Sequence, residues 1–142
     1  MAKAFFDKEA NRLYKISTDS DVANYHCHSD LYNTVNITDA DFAEVVKGLK
    51  VPAYDGTTVT YNSISVEYPS AQEISYAAKN TITALNYFLD ANPGHVMWTN
   101  LNNYKRILEK ADFSGLTFPY TKTLEQWCED NSITYYHPLQ IP

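Results

Sequence analysis

Apolar residues follow two rhythms along this chain, and the change from one to the other falls near residue 69. Before it they alternate or sit in short β-branched and aromatic runs, the spacing of strands; after it they recur at steps of three and four, the spacing of helices buried on one face. Ala4-Phe5-Phe6, a polar turn over residues 7–11 and the alternating residues 12–17 predict a hairpin in which Leu13 and Lys15 face away from Tyr14 and Ile16. A polar stretch, residues 18–30, reads as a long loop or contact arm, and residues 31–37 as a strand with Leu31, Val35 and Ile37 on one side. Thr38 then offers a capping hydroxyl, and Phe42, Val45, Val46 and Leu49 form one face of a helix that Gly48 stops. An Asp55-Gly56 turn predicts a second hairpin, whose sheet Val59, Tyr61, Ile64, Val66 and Tyr68 are expected to continue.

The second half opens with Ser70 and Glu73 as a capping box, and the helix that follows carries Ile74, Ala78, Ile82, Leu85 and Leu89 on one face until Asn92-Pro93-Gly94 ends it. Thr99 or Asn100 is expected to cap a third helix with Leu101, Tyr104, Leu108 and Ala111 inward, and Thr123 with Gln126 a short fourth with Leu124, Trp127 and Cys128 inward. The tail has strand propensity as far as Tyr136, and its prolines argue against regular structure beyond. Strands gathered before helices predict an α+β fold in a single domain, residues 1–142, with a β-rich sub-module over 1–69 and a helical one over 70–142.

Composition narrows the partners. The chain has 142 residues, 44% hydrophobic and 20% charged, enough to bury one core and with no window apolar enough to span a bilayer. A net charge of −6 with eleven scattered Lys and Arg residues repels phosphate, so neither nucleic acid nor membrane is expected as a partner. No apolar run of signal-peptide length follows Met1, which predicts synthesis and retention in the cytoplasm, where Cys27 and Cys128 would stay reduced. Twelve tyrosines against four glycines suit contact surfaces, because a tyrosine joins a large apolar face to a polar tip.

Candidate chemistry is sparse. His26 and His28 in Tyr25-His26-Cys27-His28-Ser29-Asp30 could share one face of an extended segment, but two ligands make no metal site, and solvated histidines in a loop are the favoured reading. Cys128 falls on the buried side of its helix, so packing is favoured over nucleophilic chemistry with His95 or His137. Asp39, Asp41 and Glu44 lie in the first turns of a helix, where the dipole accounts for them. There is no phosphate loop, nucleophile elbow or dinucleotide fingerprint, and the expectation is a protein that is not an enzyme and has no cofactor or metal.

The order of elements over residues 5–61 resembles a module of tail-associated proteins of tailed bacteriophages, notably tail-fibre assembly proteins and fibre-attached domains. The likeness rests on an aromatic hairpin, Phe5-Phe6-Asp7-Lys8-Glu9-Ala10-Asn11-Arg12-Leu13-Tyr14, a capped helix over residues 37–48 and the short turn Tyr54-Asp55-Gly56-Thr57. It implies a phage-encoded structural protein of the virion, made in the host cytoplasm, that binds other virion proteins or copies of itself in a symmetric assembly. A tail-fibre assembly chaperone, or a carbohydrate-binding module for host surface glycans, are the alternatives. The expected partner-binding residues are Tyr76 and Tyr87, which fall off the apolar stripe of the long helix, and Tyr135, Tyr136, Leu139 and Ile141 of the tail, which would either fold back or reach a neighbour.

Overall fold

The computed structural model describes residues 2–18 and 30–141, which form an α+β structure. They fall into two compact units: residues up to Ile64 together with those from His137 onward, and Ser65–Tyr136. The division lies close to residue 69, but the end of the chain groups with the β-rich unit and not with the helices that precede it.

In the β-rich unit, β1 (Ala2–Asp7) is central, flanked antiparallel by β2 (Leu13–Ser17) and β3 (Tyr32–Ile37). Phe5 and Phe6, successive and so on opposite faces, are both buried. The turn between β1 and β2 closes through Asp7, whose carboxylate accepts the Ala10 N–H at 2.6 Å, while Asn11 takes the left-handed conformation at φ 55°. Register corrects one expectation. Lys15 opposes Phe5 and Leu13 opposes Phe6, so Tyr14 is an extra residue in a β-bulge. Tyr14 is therefore largely exposed although Ile16, two residues on, is fully buried.

Helix α1 (Asp39–Val46) starts where Thr38 accepts the Asp41 N–H at 3.0 Å and stops before Gly48 at φ 77°. It leads into the hairpin of β4 (Lys50–Tyr54) and β5 (Val59–Ser63), whose turn is fastened by the Asp55 carboxylate on the N–H groups of Thr57 and Thr58. Tyr54 stacks on Phe6 with centroids 5.1 Å apart, which ties this hairpin to the three-stranded sheet. Ile64, Val66 and Tyr68 do not prolong β5. The Ile64 N–H bonds to Leu49 O at 2.8 Å, the residue before β4, so β5 has outrun its partner. Tyr68 instead makes an isolated antiparallel bridge to Tyr120 within the helical unit.

That unit is built on α2 (Ala71–Ala91), with Ile74, Ala78, Leu85 and Leu89 buried along one face. Ser70 stands at its N-cap, but the hydroxyl bonds to the Glu73 carboxylate and not to a helix N–H. Helix α3 (Trp98–Glu109) begins one to two residues before the expected Thr99 or Asn100 cap. The cause is tertiary: the Trp98 indole N–H donates to Leu89 O at 3.1 Å, and His95 Nδ1 accepts the N–H of Met97, the N-cap residue, at 3.0 Å, while no side chain caps the first helical N–H groups. Helix α4 (Leu124–Asp130) has the expected Thr123/Gln126 capping box and turns Leu124, Trp127 and Cys128 inward, with Trp127 against Phe113 at 4.7 Å. No helix among the described residues is long and apolar enough to cross a membrane.

The tail departs most from expectation. Residues 133–137 join no sheet, and Pro138–Gln140 form a short 3₁₀ helix where no regular structure was foreseen. Pro138 occupies the first helical position, where its missing N–H costs nothing, and the capping groups come from His137 and Gln140.

Candidate interaction surface

On α2, Tyr76 and Tyr87 lie three turns apart, about 20° from eclipsed, and so share a face. Both point away from the buried stripe: Tyr76 is 50% and Tyr87 77% exposed. Tyr76 is steadied on its own helix, its hydroxyl within 2.7 Å of Gln72 Nε2 and its ring 5.7 Å from Lys79 Nζ. The Tyr87 side chain makes no hydrogen bond or ring contact among the described residues. A helix of 21 residues gives these rings a rigid mount, and each can surrender its apolar face to a neighbour without any change in the helix.

The tail residues are placed differently. Tyr135 and Tyr136 are half-buried in the helical unit, Tyr136 edge-on to Tyr104 at 6.1 Å. Burial, with Glu129 and Glu125 nearby, pushes the Tyr135 hydroxyl up to about 12. Leu139 is half-buried and Ile141 is buried in the β-rich unit, where the 3₁₀ helix packs against β2 and Lys15 Nζ reaches Pro138 O at 3.5 Å. Of the two courses expected for the tail, folding back or reaching a neighbour, Ile141 takes the first, its side chain buried against the chain's own unit. His137 is held there with its Nδ1 accepting the Leu139 N–H at 3.2 Å, and burial lowers its pKa.

The groups considered for chemistry are accounted for by packing. Cys128 is fully buried and hydrogen-bonded to the Tyr104 hydroxyl, and burial pushes its thiol up to about 11, the direction opposite to an activated nucleophile. Burial raises Tyr104 too, as it does the Glu125 carboxyl, although the Thr123 side chain partly offsets the latter. Asp39 accepts the Ala2 N–H at 3.2 Å, and Asp41 lies 3.4 Å from Lys50 Nζ. His26, Cys27 and His28 lie outside the described residues, among which no group of three or more metal-capable side chains converges.

Besides a shallow concavity of about 470 Å³ lined by Glu129 and residues 132–135, two concavities lie within single units. One, about 610 Å³ and open, runs over the bulge of the β-rich unit, where Tyr14 stacks on Tyr32 at 4.8 Å; its Asp7 carboxylate is engaged by the Ala10 N–H and by Arg12 at 3.6 Å. The other, about 340 Å³, lies between α3 and residues 132–136 and has no charged residue in its lining. Sequence reasoning missed this second groove, because its walls, α3 and residues 132–136, are more than twenty residues apart in sequence and are brought together by contacts such as Tyr104 with Tyr136. Set against family models, curated proteins and solved structures, the chain matches none.

Proposed function

We propose that the chain is a non-catalytic structural protein of a tailed bacteriophage, in or near the tail, that holds neighbouring virion proteins or further copies of itself through aromatic contacts. The observation that carries this reading is the pair of tyrosines on one outward face of α2, with Tyr87 77% exposed and bound to nothing in its own unit. Rings so placed contribute nothing to the core of the chain that bears them, whereas full desolvation against a partner is worth about 1.5–3 kcal/mol each. The phage setting rests on the likeness of residues 5–61 to tail-associated modules, whose hairpin and capped helix correspond to β1–β2 and α1. The buried, proton-holding Cys128 supports contact over catalysis.

Mass spectrometry of purified phage particles tests the reading. A virion component is present at a fixed copy number per particle. Absence from mature particles, with presence in assembly intermediates, would instead favour a chaperone, and absence from both would remove the proposal.

A further inference from the structure

The outer face of α2 is uncharged along its centre and charged at its rim. At about 100° per residue, Tyr76, Asn80, Thr83, Tyr87 and Ala91 all fall within about 60° of the Tyr76 direction. All five are exposed. Residues 80–89 contain no charged side chain, although half of them are exposed. Charge returns at the two ends of that run, and on one side of it: Lys79 and Asp90 lie within about 20° of each other around the helix and about 16 Å apart along it. Both are exposed, and among the described residues neither is in an ion pair. The Lys79 ammonium lies 5.7 Å from the Tyr76 ring, so this side chain leans toward the start of the helix.

We infer that this face receives α2 of a second copy of the chain, antiparallel across a two-fold axis that passes between Thr83 and Ala84. Such an axis makes the face its own complement, because every contact occurs twice. In this register Tyr87 faces the partner's Asn80 and Tyr76 the partner's Ala91, so each ring meets a short side chain that leaves room for it. Lys79 comes within about 3 Å, measured along the helices, of the partner's Asp90 on the same side, and the lean of the lysine closes that gap. Two ion pairs of opposite sign therefore frame an uncharged centre, which closes without desolvating a charge. A parallel copy would instead set lysine against lysine and aspartate against aspartate. Glu73, a further charge of this face, falls beyond the end of the partner's helix. The inference rests on the contact face proposed above and deepens it by naming the partner.

Sedimentation equilibrium of the intact chain tests it between about 10 µM and about 1 mM, since a contact confined to one helix face lies at or below the ~1,200 Å² at which free dimers become stable. A monomer–dimer equilibrium should appear in that range. Lys79→Glu and Asp90→Lys should each weaken it at least about tenfold, because the two-fold axis turns both ion pairs into repulsions, and the double variant Lys79→Glu/Asp90→Lys should return to within about threefold of the parent. Both positions are exposed, so the fold is unaffected. Asp90→Lys is the sharper single variant: it reduces the net negative charge of the chain, and would strengthen association if overall repulsion alone governed it. A chain that stays monomeric throughout the range, a dimer indifferent to either single reversal, or single losses that the double variant does not repair would each overturn the inference. Particle composition does not enter. A monomeric chain that still joins phage particles through Tyr76 and Tyr87 would sink self-pairing and leave the proposed contact with other virion proteins intact.

Discussion

The two units use their aromatic rings in opposite ways. In the β-rich unit the rings face one another, Phe6 on Tyr54 at 5.1 Å between the two sheets and Tyr14 on Tyr32 at 4.8 Å between the strands that flank β1, because the fold brings residues distant in sequence together. In the helical unit Phe113, Trp127 and Tyr104 join an aliphatic core, and α2 still carries Tyr76 and Tyr87 outward. A helix needs only one stripe to be held in place, so its other face is free to evolve for contact; the central strand of a sheet covered on both faces has no such freedom. The lesson is that exposed tyrosine on α2 is surplus to folding, whereas the rings of the first unit are part of it.

Removal of core rings should have the largest effect. Phe6→Ala in one unit and Trp127→Ala in the other are each expected to cost about 3–5 kcal/mol in denaturant unfolding, because both leave cavities in buried packing. A loss well under 1 kcal/mol for either would show that its unit is not built around that ring.

Deletion of residues 137–142 comes next. It removes the buried Ile141 and the 3₁₀ helix from β2, and should cost about 2–3 kcal/mol while leaving the chain folded in the cold. If the truncated chain melts like the intact one, the tail belongs to a partner and not to its own unit.

A smaller effect should appear with pH. Burial lowers the His137 pKa beneath the ordinary 6.5, so as pH falls below 6.5 the unfolded chain binds the proton first and stability declines through the lowered value. Protonation also removes the Nδ1 acceptor that caps Leu139. Thermal melts between pH 7.5 and 5 should show this loss, and His137→Asn, which keeps a capping acceptor without a proton to gain, should flatten it.

Much of the architecture was legible because it is local. The stripe of α2 and the Thr38 and Thr123 caps follow from side chains a few residues apart. What the sequence could not disclose depends on distant partners. The bulge at Tyr14 exists only in register with β1, α3 starts early because the Trp98 indole finds Leu89 O, and the tail forgoes its strand propensity because no strand lies beside it. Tyr76 and Tyr87 were recognisable as outward-facing from helical phase alone; Ile141 was not recognisable as buried, since nothing within ten residues indicates where the tail docks.

The smallest effect on stability and the largest on assembly should coincide in the double variant Tyr76→Ala/Tyr87→Ala. Its unfolding free energy should stay within about 0.5 kcal/mol of the parent, as for exposed positions generally. Its copy number in purified phage particles, measured by mass spectrometry against the parent chain, should fall at least about tenfold, equivalent to the lost burial of one large side chain. Incorporation at the parental level by this folded variant would contradict the claim that the outward rings of α2 are what hold the protein to its neighbours.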